Sequence, residues 1–551
     1  MNRSIDKYPI ALFLLWFVFF FLPVGNRSLW NPDEPRYLQV AWEMVQAKAY
    51  LVPVFNGELY AHKPPLFFWL TILMSKISAF ETASRYVSAL MSLGTIFLTY
   101  LIGKRYGGKK IGFVAALILM TSGFFLWLTG TGNIDTTLTF LTTLSFYSFI
   151  QYGENKKWLW IFLAYLSCGV GILAKGPVAL LIPWLTFLAW TIYKSHFKKE
   201  EVPYIHLVWG PFIAIGIAAL WMIPACIAGG ETYTRELLFT HNIGRTVKSF
   251  AHQSPWYYYI LNFTGIFAPW SLVFLAAMFG IKKELKEDDE PLSFYLTWFF
   301  TTFLFFSMFS GKRGQYLLPA YPAFSLFLAN IVNRWDRRGE NSFSIRLIIF
   351  LILGIGVFVL LAPPFIPFFN KNLDLLADVS FSISGWRLWT VYSIGILSLI
   401  ILWMSYAKLK LKKYMEACMF FVFAVLLYLG ILQISISPGI DHVKSLKYFS
   451  NEIKEVVPKS STIAFYKKYS QRGLNFYLNR PVIPVVSHDQ LQNVNPPYDF
   501  ILRERRNKGR KPIRLGEVSS IKMMGYNGYK AIHVKKIGSK EYTLWKLMPE
   551  Q

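Results

Sequence analysis

The sequence predicts a polytopic α-helical membrane protein of about thirteen transmembrane helices followed by a small soluble α/β domain. Hydrophobic residues make up 54% of the 551 residues and charged ones only 16%, outside the usual composition of a soluble protein. Apolar stretches of about 20 residues, each long enough to cross a bilayer, recur through residues 1–436. Beyond residue 437 they give way to one amphipathic helical face and short β-rich runs.

Taken in order, the first span is 8–25. It has a basic start, but it lacks a small-x-small cleavage site and is dominated by Phe and Trp, so it reads as a retained helix rather than a signal peptide. Further spans are expected at 82–103, 111–129, 131–150, 158–174, 177–193, 205–228, 256–279, 292–309, 314–332, 347–361, 389–406 and 414–434, with 66–80 as a re-entrant or surface helix. Connections beginning at Lys104, Glu154, Lys194, Lys282, Asn333 and Ala407 are strongly basic and fall on one side of this arrangement. By the positive-inside rule that side is cytoplasmic, which also accounts for a net charge of +26 without a nucleic-acid partner. The first external loop (26–81) and residues 437–551 then share the opposite, periplasmic face. Cys168, Cys226 and Cys418 lie in or beside apolar spans, which argues against a disulfide framework or a thiolate metal site.

In the tail, Val443, Leu446, Phe449, Ile453 and Val456 make one helical face, and strands are expected at 462–465, 474–478, 482–486 and 529–534. The basic stretch from Arg503 to Lys511 reads as a solvated loop.

Residues 30–69, WNPDEPRYLQVAWEMVQAKAYLVPVFNGELYAHKPPLFFW, are far too polar to span. They concentrate Asp33, Glu34, Arg36, Tyr37, Tyr60, His62 and Lys63, with prolines at 32, 35, 64 and 65 fixing the backbone between them, and charge at such a place in a membrane protein usually marks chemistry. Pro35 opens a helix whose apolar face, Tyr37, Val40, Ala41 and Met44, suits the membrane surface and would hold the acidic pair at the water–lipid boundary. The plainer reading makes Asp33 an N-cap and Glu34 a first-turn acid favoured by the helix dipole.

The pattern W-x-P-D-E-x-R-Y, followed by V-P, N-G and Y-x-x-K-P, resembles the first external loop of the ArnT family, the 4-amino-4-deoxy-L-arabinose lipid A transferases of the glycosyltransferase C superfamily. The resemblance implies the GT-C fold, catalytic roles for Asp33 and Glu34, and a second acidic position at Asp135 in GNIDTTLTF. It marks Lys175 in AKGPVAL, His241 and Arg245 in the segment 236–259, and Lys312, Arg313 and Tyr316 in SGKRGQYLLPAYP. Cations on a face where Lys and Arg are normally depleted point to an anionic ligand, so Arg36, Lys63, Lys175, Arg245, Lys312 and Arg313 are expected to bind phosphate or substrate with Tyr37, Tyr60 and Tyr316. Two departures matter, because His62 and Thr240 stand where the family supplies Glu. His62, His241 and His252 remain candidate zinc ligands, but no metal and no cofactor are expected.

These features imply a glycosyltransferase that moves aminoarabinose or a similar sugar from polyprenyl phosphate to lipid A or lipopolysaccharide at the periplasmic face of the inner membrane, working as a monomer among membrane lipids. A galacturonic acid transferase or a protein O-mannosyltransferase-like enzyme is the alternative. A lipid-sugar transporter fits less well, since charges cluster on one face and no inverted repeat is visible.

Overall fold

The computed structural model describes residues 6–30, 32–199, 205–239, 253–285, 290–339, 354, 386–435, 441, 444–466, 473–485, 498–506, 529–537 and 540–548. Helix α1 (Lys7–Trp16) continues through a π turn and a 3-10 turn to Gly25. Then come α2 (Glu34–Gln46), the two-residue strands β1 (Val54–Phe55) and β2 (Glu58–Leu59), and α3 (Leu66–Met74). The bundle proper is built from α4 (Phe80–Gly107), α5 (Lys109–Thr121), α6 (Gly123–Thr129), α7 (Ile134–Asn155), α8 (Trp158–Lys175), α9 (Val178–Tyr193) and α10 (Ile205–Arg235). It continues with α11 (Glu290–Met308), α12 (Tyr321–Arg338), α13 (Trp386–Lys410) and α14 (Tyr414–Ser435). Among the described residues seven helices are long and apolar enough to cross a membrane, or eight if α5 and α6, bent by 71° at Ser122, are one broken span.

Helix α7 is the polar centre of the bundle. Thr139, Thr142, Thr143 and Ser148 are buried, and each hydroxyl donates to the carbonyl four residues earlier, so their polarity is satisfied inside the helix. Helices α4 and α5 touch backbone to backbone, and a Cβ on Gly103 would stand 2.7 Å from the Gly112 Cα.

Two expectations change. The apolar run 256–279 is not one helix but three pieces, Tyr258–Leu261, Phe263–Ile266 and Ser271–Phe279, and the second break falls at Pro269, which has no N–H to continue the ladder. The run 314–332 opens as a 3-10 turn, Gly314–Ala320, before α12. The expected span 347–361 lies outside the described residues, apart from residue 354.

The tail carries α15 (Lys447–Val456), α16 (Leu474–Leu478) and a five-stranded sheet of β3 (Ile463–Tyr466), β4 (Ile483–Val485), β5 (Phe500–Arg506), β6 (Tyr529–Ile537) and β7 (Lys540–Leu547), in the order β4-β3-β5-β7-β6. Strand β3 runs parallel to β4 and β5, and β7 antiparallel to β5 and β6. Two sequence readings are corrected here. Residues 474–478 are helix, and Arg503 to Arg506 form the end of β5 between β3 and β7 rather than a loop. Glu504 and Arg503 fit because Glu504 accepts from Tyr542 and Lys540 while Arg503 lies over the Tyr466 ring. On α15, Leu446, Phe449 and Ile453 are buried as expected, while Val456 is exposed and Val457 takes its place in the core. Val443 lies outside the described residues.

Helix α2 is not laid on an open surface. Its apolar face, Tyr37, Val40, Ala41 and Met44, packs on Phe67, Phe68 and Ile72 of α3, and the opposite side meets the tail. There Leu38 joins Leu446, Leu474 and Tyr477. The Gly473 N–H donates to Gln39 Oε1 at 2.6 Å, and Asn475 Nδ2 donates to Glu43 Oε1 at 2.9 Å. Burial raises the Glu43 pKa against the hydrogen bonds from Gln39, Gly57 and Asn475. A one-sided apolar pattern cannot reveal this second face, whose polar groups are matched by partners more than 400 residues away.

Candidate active site

The site begins with the two acids that open α2. Asp33 occupies the N-cap position, but its side chain makes no capping bond. One carboxylate oxygen accepts from Arg36 at 2.8 Å, and the other from Arg313 at 2.7 Å, across 280 residues. The helix-cap reading of Asp33 therefore gives way to an ion triad of Asp33, Arg36 and Arg313. Burial opposes charge on Arg36, but Tyr60, Tyr37 and Asp33 around it prevail and raise its pKa. Arg313 is raised in the same way, with burial outweighed by Asp33.

Glu34 points the other way, into the protein. It is 4% exposed and accepts from Arg27 (2.8 and 3.1 Å), Arg85 Nε (2.7 Å), the Trp30 N–H (2.9 Å) and the Gly132 N–H (3.0 Å). Burial would raise its pKa, yet Arg27 and Arg85 hold it at about 2. With both oxygens occupied, Glu34 is a poor candidate for contact with substrate, which differs from the role the resemblance implied. It joins the end of the first span, α4 and the turn before α7. That turn needs Gly132, because a Cβ there would fall 2.3 Å from Ser84 Oγ.

Asp135 stands in the first turn of α7, where Asn133 rather than Asp135 caps the helix. Its carboxylate accepts from Lys175, the last residue of α8, and from Gln315 Nε2 at 3.0 Å. The Lys175 ammonium also lies over the Tyr316 ring, 4.3 Å from its centroid. The short connection after α11 therefore ties the two acids together, with Arg313 on Asp33 and Gln315 on Asp135. The Tyr259 hydroxyl donates to the Arg313 carbonyl at 3.1 Å and steadies that connection.

Tyr37 receives a hydrogen bond from Arg36 at 3.2 Å, while Tyr60 stacks on His62, with centroids 5.1 Å apart, and meets Phe68 edge-on. Lys63 is half-buried in the turn before α3. Lys312 is not aimed at the acids. It is buried, burial lowers its pKa, and its ammonium donates to the carbonyls of Ser254 (3.1 Å) and Phe309, which leaves little of it for a ligand. Arg245, His241 and His252 lie outside the described residues. Among the described residues no three His, Cys, Asp or Glu side chains gather at metal-binding separation.

Sequence reasoning passed over Gln315, Arg27 and Arg85. Arg85 carried a usable signal, since an arginine within an otherwise apolar span needs a buried partner.

The family model for dolichyl-phosphate-mannose-protein mannosyltransferases matches residues 62–222. An undecaprenyl phosphate-α-4-amino-4-deoxy-L-arabinose arabinosyl transferase of Pseudomonas fluorescens is 26% identical over 370 residues, 65% of this chain and 62% of that protein. Its counterpart in Wigglesworthia glossinidia brevipalpis is 26% identical over 440 residues, 74% of this chain and 77% of the other. In fold, the chain is similar to ArnT from Cupriavidus metallidurans bound to undecaprenyl phosphate, with a TM-score of 0.76, 15% identity and 98% of each chain covered. It is also similar to the Archaeoglobus fulgidus oligosaccharyltransferase, with a TM-score of 0.54, 11% identity, and 91% of this chain and 70% of the other covered. The acid-and-arginine centre therefore sits on a fold shared with ArnT and the oligosaccharyltransferase, and in sequence the chain is similar to membrane glycosyltransferases of the aminoarabinose-transferase and protein-mannosyltransferase kinds.

Proposed function

We propose that the chain moves a sugar, aminoarabinose or a similar one, from undecaprenyl phosphate to a phosphate of lipid A at the periplasmic face of the inner membrane. The observation that carries this reading is the convergence of Asp33 and Asp135 with Arg36, Arg313 and Lys175, from four segments far apart in sequence. The names of the relatives support the donor, and the acceptor is what the resemblance of the first loop implies. About thirteen spans, a soluble periplasmic tail and a monomeric enzyme complete the proposal.

In the reaction, an acceptor phosphate oxygen bonds to the anomeric carbon, and the bond from that carbon to the polyprenyl phosphate breaks with its electron pair leaving on the lipid phosphate. A phosphate acceptor is already anionic and needs no strong base. Positioning and charge stabilisation then do most of the catalysis. Arg36 and Arg313 are suited to grip the departing phosphate bidentately and Lys175 to act as a point charge. Asp33 sets the direction of both guanidiniums and faces the positive charge that grows on the sugar. Asp135 holds Lys175 and Gln315 in place, and Glu34 acts as a positioning residue through Arg27 and Arg85.

The family-model match favours a second reading, sugar transfer to a protein hydroxyl. Mass spectrometry of lipid A from cells with and without the protein separates the two. We expect an added sugar on lipid A only where the protein is present. Unchanged lipid A together with newly glycosylated protein would favour the second reading.

A further inference from the structure

A cavity of about 380 Å³ opens at the far end of the bundle from the acids, between the C-terminal ends of α7 and α9 and the N-terminal ends of α10 and α11. Asp135 begins α7 and Lys156 follows its last turn, so the cavity lies on the order of 30 Å from the candidate active site, about a bilayer thickness away. Those helix ends carry the basic connections, which puts the cavity at the cytoplasmic side in the proposed topology.

Its inner wall is aromatic, with Phe149, Phe187, Trp190 and Phe294, and its mouth carries Glu154, Lys156, Lys194 and Glu290. Three of these charges are answered, since Arg105 pairs with Glu154 and Lys194 with Glu290. Lys156 adds a cation beyond those pairs. It lies over the Tyr152 ring, 5.8 Å from its centroid, and takes a left-handed conformation (φ 52°) after α7. Glycine is the usual residue there, so a lysine keeps this position at some conformational cost. Tyr106 and Tyr152 bring hydroxyls to the same space.

Among the described residues, an apolar wall beneath a mouth whose charges, counted with Arg105, leave one cation over fits an amphiphile whose head is a single anionic phosphate. An ammonium-bearing head would have to compete with Lys194 and Arg105 for the two carboxylates. We propose that this cavity binds the headgroup of an anionic phospholipid of the cytoplasmic leaflet, a phosphodiester with a neutral polyol, with Lys156 on the phosphate and an acyl chain along the Phe187–Trp190 wall. Basic pockets between helix ends on this side of a membrane are suited to such lipids.

The test is thermal unfolding of the purified full chain in detergent, titrated with dihexanoyl phosphatidylglycerol, dihexanoyl phosphatidylcholine, glycerol 3-phosphate and inorganic phosphate. The expected result is a saturable rise in melting temperature with phosphatidylglycerol alone. Lys156→Met should raise the half-saturating concentration about 5-fold without changing the lipid-free melting temperature, while Lys157→Met should leave both unchanged. An equal response to phosphatidylcholine, or the same half-saturation in Lys156→Met, would overturn the site. A response to inorganic phosphate or glycerol 3-phosphate matching that to phosphatidylglycerol would overturn the lipid as its ligand.

Discussion

Asp33→Asn is expected to express and melt close to the unsubstituted protein while losing transfer by about 10²–10³-fold, the range seen when a preorganised charge contact is removed. Asn keeps the shape and one acceptor oxygen but cannot hold two guanidiniums with a full negative charge. Arg36 and Arg313 then lose the anchor that fixes their direction, although Arg36 still reaches the Tyr37 hydroxyl. Both arginine side chains are partly exposed, at 19% and 26%, so the lost pairs should cost only about 1 kcal/mol of stability. The measurement is initial transfer rate at saturating donor beside a detergent melting curve. Full activity in this variant would mean that the triad is scaffolding.

Glu34→Gln should do the opposite and fail in folding before it fails in chemistry. The glutamate sits between two guanidiniums that are 5% and 0% exposed, and removing its charge takes the ion-pair partner from both at a junction of three segments. A broken buried pair of this kind costs roughly 3–5 kcal/mol, so low yield and a clearly lowered melting temperature are expected. Because Arg27 and Arg85 hold the folded pKa at about 2 against an ordinary 4.5, the stabilisation is fully present above pH 4.5 and is lost as pH falls from there toward 2. The variant should lack that acid-side loss, which melting curves at stepped pH will read. Normal melting with abolished transfer would instead return Glu34 to the reacting centre.

These adjacent acids show what the sequence could and could not convey. The loop pattern made both conspicuous, and Asp33, Arg36, Tyr37, Lys175, Arg313 and Tyr316 do meet Asp135 in one region. Direction was hidden, however, because the side of α2 on which each carboxylate emerges depends on Arg85 and Arg313, 51 and 280 residues away. Lys312 and Arg313 are neighbours with equal claims by composition. Only the backbone carbonyls of Ser254 and Phe309 decide that Lys312 turns inward. The apolar bundle was legible because length and hydropathy fix a span with little reference to its surroundings, whereas the break at Pro269 and strand β5 were not. The charged end of β5 looks like a loop until Tyr542, Lys540 and Tyr466 supply its partners.

The most direct measurement of the central claim is transfer of a labelled sugar from undecaprenyl phosphate to lipid A by the purified protein in proteoliposomes, with Asp33→Asn as control and EDTA present throughout. The account predicts labelled lipid A and released undecaprenyl phosphate with the unsubstituted protein, in the presence of chelator, and close to background with the variant. Labelled donor that crosses the bilayer intact with no lipid A labelled, or transfer that returns only on adding a divalent metal, would contradict it.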